Sequence, residues 1–161
     1  MANRKPLVII GGQVQQLPAG DTIDAPQGGG DQQVITNDEA GAIVIGTPVY
    51  MDANDGVKKA QANASGTRKV TGIVAVASIG AAGQGPITVG GVITATTTQW
   101  DAVVVSGSGG LIKDTTYYLD AATAGKITAT APSTAGQYVV EVGIGLSTTE
   151  LLVRVQKDIL L

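Results

Sequence analysis

The carboxylates are the first residues to weigh for acid–base chemistry in this chain, because its 161 residues include no Cys and no His. The two absences remove the thiolate nucleophile, disulfides, thiolate metal sites and the usual general base at neutral pH. The acids that remain to consider are Asp38-Glu39, Asp114, Asp120 and Glu141. A glycosidase needs two carboxyls about 5–10 Å apart, one of them in a perturbed environment. These acids are scattered and have no aromatic sugar platform beside them, so no enzyme activity, cofactor or metal is expected. Asp52-Ala53-Asn54-Asp55-Gly56 opens like a calcium loop, but that motif requires Gly at its sixth position and Glu at its twelfth. Here Gly56 is fifth and Asn63 stands twelfth. The stretch reads as a hairpin turn.

The glycine-rich stretches Gly28 to Gly30, Gly83-Gln84-Gly85 and Gly107 to Gly110 lack the Lys-Ser/Thr of a phosphate loop, and none opens a helix. They read as loops. Trp100, Tyr117, Tyr118 and Tyr138 offer a sugar-stacking surface, but in a chain without Phe they are better used to fill core gaps or an interface. Adjacent Tyr117 and Tyr118 point to opposite faces of a strand, so one is buried and the other exposed or interfacial. Tyr117 is assigned to the partner surface.

What must position these residues is a β scaffold. Thr115 to Val155 reads as a four-strand meander: Tyr117 to Leu119, Ile127 to Thr130, Tyr138 to Leu146 and Leu151 to Val155, separated by turn residues. Further strand candidates are Ile43 to Ile45, Pro48 to Met51, Val57 to Ala60, Val70 to Ala77, Ile87 to Val89 and Val92 to Thr96. Thr97 to Ala102 suits one short helical turn with Thr as its cap. An internal repeat is visible, since Thr47-Pro48-Val49-Tyr50-Met51-Asp52-Ala53 matches Thr115-Thr116-Tyr117-Tyr118-Leu119-Asp120-Ala121. Val70 to Ile73 matches Val140 to Ile144, each with a Gly inside the strand, where it marks a bend or a close backbone approach. The expected fold is all-β: a compact β-barrel or sandwich with a pseudo-twofold repeat over residues 37–161, preceded by an extended N-terminal arm and linker over 1–36.

In the arm, Leu7-Val8-Ile9-Ile10 is strand-like, Val14 to Leu17 is a weaker second run, and Gln27 to Gln33 has linker composition. A four-residue apolar strand isolated by a linker cannot bury itself alone. It is expected to add to the edge of a neighbour, the alternative being a return to its own barrel. Ile159-Leu160-Leu161 is equally apolar and asks to be docked. The partner-binding candidates are therefore Leu7, Val8, Ile9, Ile10, Val14, Leu17, Tyr117, Ile159, Leu160 and Leu161. A core built from Val, Ile, Leu and Ala with 23 Gly is thin, which points to oligomerisation. A net charge of −3 argues against a nucleic-acid surface. The apolar run Leu7 to Ile10 is too short for a signal-peptide core or a membrane span, so the chain is expected to be made and kept in the cytosol until something releases it.

The opening NRKPLVIIGGQVQQLPAGDTID resembles the N-terminal segment of virion proteins of tailed bacteriophages described as tail-fibre, head-fibre or capsid-decoration proteins. The body, from GTPVYMDANDGVKKAQA through TATTTQWDAVV and GGLIKDTTYYLDAATAGKITATAPS to VGIGLSTTELLV, resembles the β-barrel of phage capsid cement proteins. The resemblance implies a virion structural protein on the capsid exterior, assembled in the host bacterial cytoplasm. It implies small homo-oligomers, trimers above all, that brace the major capsid protein and contact neither nucleic acid nor membrane. The alternative is a fibre adhesion module that contacts a host glycan. The absence of a coiled coil or repetitive shaft favours the head.

Overall fold

The computed structural model describes Leu7–Ile10, Gln13–Gln16 and residues 31–161. Among the described residues the fold is all-β with one short helix. In the arm, β1 (Leu7–Ile10) and β2 (Gln13–Gln16) form an antiparallel pair, with Leu7 opposite Gln16 and Ile10 opposite Gln13. Leu17 lies outside the described residues.

The body is two repeats. The first comprises β3 (Gln32–Thr36), β4 (Ile43–Val44), β5 (Pro48–Met51), β6 (Val57–Lys59), β7 (Gly72–Val74), β8 (Ser78–Ile79) and β9 (Gln84–Thr88). Its main sheet has the order β3-β9-β7-β5-β6. The second comprises β10 (Gly91–Thr94), α1 (Thr97–Val103), β11 (Thr116–Leu119), β12 (Ile127–Thr128), β13 (Tyr138–Val139), β14 (Glu141–Gly145), β15 (Glu150–Val153) and β16 (Ile159–Leu160). Its sheet runs β10-β15-β14-β11-β12, the same order strand for strand. Each sheet is closed by one parallel bridge, Asn37 to Val57 in the first and Val104 to Ile127 in the second. The repeat legible in the sequence is thus a repeat of whole sheets.

The equivalence extends to single hydrogen bonds. Thr47 N–H donates to the Val44 carbonyl at 3.2 Å and Thr115 N–H to that of Ile112 at 3.3 Å. Asp52 N–H closes its turn on Gly56 at 2.9 Å and Asp120 N–H closes its own on Lys126 at 3.0 Å. Gly72 stands opposite Val49, and Gly143 opposite Tyr117. A Cβ on Gly143 would run into the Leu152 backbone carbonyl, which is the close approach expected of a glycine inside a strand. The inserted helix α1 is capped by Thr96, whose hydroxyl accepts from Gln99 N–H while the Gln99 side chain accepts from Thr96 N–H.

Two expectations are corrected. Residues 115–155 do not form a simple meander, because β12 lies on the far side of β11 from β14. Ile127 is needed at that edge to bridge Val104, and the link through Pro132 carries the chain back across. Gln32–Thr36, grouped with the arm by its polar, linker-like surroundings, is a strand paired along its length with β9. The body therefore begins ahead of residue 37.

Burial follows the repeats. Ile35, Ile43, Val49, Val57, Val74, Ile79 and Ile87 form the core of the first. The second core, around Trp100, Tyr117, Leu119, Ile127, Val142 and Leu151, also takes in Ile45, Ala60, Ala62 and Ile73 from the first repeat. Backbone bonds stitch the seam: Gly125 N–H donates to Ala60 at 2.7 Å, Ala62 N–H to Asp120 at 3.0 Å, and Tyr138 N–H to Ala62 at 2.9 Å. Ala60 and Ala62 at this seam are both fully buried.

Candidate functional site

The residues considered for chemistry are employed locally. Asp52 accepts from Asn54 N–H at 2.8 Å and pairs with Lys58 at 2.9 Å, so the calcium-like stretch is a hairpin turn. The Lys58 ammonium holds the Asp52 carboxyl below the usual carboxylate range, and Asp52 in turn raises Lys58. Asp120 accepts from Ala122 and Thr123 N–H, Glu39 from Lys59 N–H at 2.8 Å, and Asp101 from Gly109 and Gly110 N–H. Among the described residues no three acids converge as metal ligands, and no helix is long and apolar enough to cross a membrane.

Tyr117 does not face a partner. It is 1% exposed, because strand alternation turns both Tyr117 and Leu119 inward, and its phenol oxygen accepts from Ile112 N–H at 2.8 Å. Tyr118 is the half-exposed neighbour. Trp100 is fully buried as well, so neither ring is available for sugar stacking.

Apolar surface collects elsewhere. Ile159 and Leu160 are 61% and 60% exposed, and Leu161 is exposed too. Their backbone is docked: β16 pairs with β13, Ile159 opposite Val139 and Leu160 opposite Tyr138, and Leu161 N–H donates to the Gln137 carbonyl at 3.0 Å. A side-chain clasp reinforces this. Arg68 Nε donates to Asp158 Oδ2 at 2.5 Å, and the guanidinium lies 4.1 Å from the centre of the Tyr138 ring. The strand is therefore held in place with its aliphatic side chains presented to solvent. Its presentation was legible as an apolar run, but Arg68 lies too far away in sequence to be matched with Asp158. The strand pair Leu7–Ile10 and Gln13–Gln16, which includes Val14, is the other candidate grip.

The clasp makes a testable claim about pH. Arg68 lowers the Asp158 pKa, chiefly by hydrogen bonding. A depressed folded-state pKa stabilises above the unfolded pKa and is lost as pH falls through the folded one. Arg68→Ala is expected to lower the protection of the Leu161 amide against exchange with little change in global stability, and acidification below the ordinary aspartate range is expected to lower the same protection, taken relative to the intrinsic rate at each pH, in the unmodified chain. Unchanged Leu161 exchange in the variant would show that backbone pairing alone holds the strand.

No protein-family model matches this chain, and no curated protein matches it.

Proposed function

We propose that the protein is a capsid cement protein: a non-enzymatic virion component that binds the capsid exterior as a small oligomer and stabilises the shell. The observation that carries this reading is the Ile159–Leu161 segment, fixed by backbone pairing and the Arg68 clasp while its aliphatic side chains stay in water. A fixed apolar protrusion on a compact body is suited to filling a pocket on another protein, since its conformational entropy is already spent before binding. The N-terminal strand pair and the linker behind it supply a second grip, and joined weak contacts become collectively tight. A clamp that binds only the assembled lattice shifts the equilibrium toward that lattice. The resemblance of the sequence to phage cement proteins supports a phage capsid as that lattice.

Deleting residues 1–17 tests this on capsids that lack the protein. Both sheets begin after that segment, so the truncated chain is expected to keep its β fold by circular dichroism and yet fail to decorate heads. Each 1.4 kcal/mol of lost contact is about tenfold in affinity, so a lost strand reduces occupancy steeply. Full occupancy by the truncated chain would remove the arm from the function. Failure of the unmodified protein to bind capsids at all would overturn the reading.

A further inference from the structure

We propose that the open edge of β3, around Val34, is the receptor for β1 of a second copy, so that the oligomer forms by exchange of arms. This rests on the assembly reading above and names the partner of its arm.

The repeats provide an internal control, because strand register assigns each position in one a twin in the other. Gln33 stands opposite Ile87 as Ile93 stands opposite Leu151, and Val34 opposite Pro86 as Thr94 opposite Glu150. In the second repeat the pattern suits a half-buried strand: Ile93 is buried and Thr94 exposed. In the first the residue types are exchanged and both positions face water. Gln33 is exposed, and Val34, at 71%, is more exposed than any other large apolar side chain described. Val89 is exposed where its twin Val153 is buried. An aliphatic residue faces water here where the same fold elsewhere places threonine, which leaves apolar surface for a partner strand to cover.

The geometry fits a strand. β3 is the terminal strand of its sheet order, and the bridge on that side, Asn37 to Val57, lies beyond its end. Gln32–Thr36 carries no Lys, Pro or bulge, the devices that normally block edge pairing. A strand added there sets side chains beside both faces of β3, and Leu7-Val8-Ile9-Ile10 is apolar at every position, so either register supplies them. Within the described residues of one chain β1 pairs with β2, which leaves the β3 edge open to the arm of another copy. The residues between Gln16 and Gln32 span about 50 Å when extended, enough to cross to a neighbour.

The chain has no Cys, so introduced thiols are unambiguous. Full-length Val34→Cys protein is mixed with Val8→Cys or with Ile9→Cys protein carrying a size tag, then oxidised. Because successive residues face opposite sides of a strand, one of the two arm variants is expected to join Val34→Cys in a mixed dimer. Neither should join Thr94→Cys, the twin position. Val34→Lys is expected to reduce the solution mass to that of one chain, 16.1 kDa. Cross-linking no stronger than to Thr94→Cys, disulfides only within a single chain carrying both thiols, or an unchanged Val34→Lys mass would each overturn the inference. Capsid binding is scored separately: decoration by unmodified protein without arm exchange sinks this inference alone, and exchange without decoration sinks the cement reading.

Discussion

Trp100→Ala is expected to lower the unfolding free energy by about 3–5 kcal/mol, the usual range for emptying a fully buried aromatic site. Losing the indole donor to the Thr149 carbonyl, a 2.9 Å bond, adds on the order of 1 kcal/mol. Small domains are stable by roughly 5–15 kcal/mol, so the variant should sit near or below its threshold at room temperature. The loss is large because Trp100 wedges the two repeats together. It comes from α1, which the first repeat lacks, and its ring lies against Gly46 of that repeat. Gly46 has φ of +84°, and a Cβ there would lie 2.7 Å from the indole. The twin position, Asp114, shares the left-handed backbone with φ of +58° and the same bond to the strand behind, Gly46 N–H to Val74 and Asp114 N–H to Gly145. Asp tolerates that conformation, but no side chain fits beside the indole. Urea unfolding followed by circular dichroism is the check. Trp100→Phe should recover part of the loss by restoring the ring without its donor. A Trp100→Ala midpoint equal to that of the unmodified protein would show that the repeats are held by the Ala60 and Ala62 seam alone.

How much of this was legible follows from the range of each interaction. The pairs β5-β6 and β11-β12 were readable because their turns and alternating strands are local, and the repeat made each a check on the other. Gly72 and Gly143 were readable because glycine inside a strand needs a reason, and for Gly143 the Leu152 carbonyl supplies it. Tyr117 was misplaced because two adjacent tyrosines fit either face equally, and only the closed sheet decides that Tyr117 and Leu119 point inward together. The strand Gln32–Thr36 was hidden by its exchanged residue types: Gln-Gln ahead of Val-Ile continues the linker's polarity, and the pairing that makes it a strand lies some fifty residues away at β9. The Arg68 clasp was out of reach for the same reason. Sequence patterns report faces and turns, whereas clasps and bridges depend on closure.

Asn37 shows what closure requires of a single polar residue, and it carries the second large effect. It is fully buried, directly at the bridge that closes the first sheet. Its side-chain NH₂ serves three carbonyls, Gly41 at 3.0 Å, Ile79 at 2.9 Å and Gly80 at 3.0 Å, while its Oδ1 accepts from Glu39 N–H at 2.9 Å. In the second repeat the turn ahead of β15 is tied instead by the Trp100 indole, through the Thr149 carbonyl. One structural demand is thus met by an amide in one repeat and by an inserted helix in the other. Asn37→Ala is expected to cost about 2–4 kcal/mol, the penalty for leaving buried carbonyls without donors. Amide exchange should rise across β3, β4 and β8 more than across the second repeat. Asn37→Asp should be worse at neutral pH, since it turns a carboxylate toward three carbonyl oxygens. Its sign with pH is fixed: such a site favours the neutral acid and raises the folded pKa, and the protonated acid regains one donor. The stability deficit of Asn37→Asp relative to the unmodified protein should therefore shrink as pH falls through that raised value. A deficit that stays constant or grows on acidification would mean that the three carbonyls are satisfied by something other than this side chain.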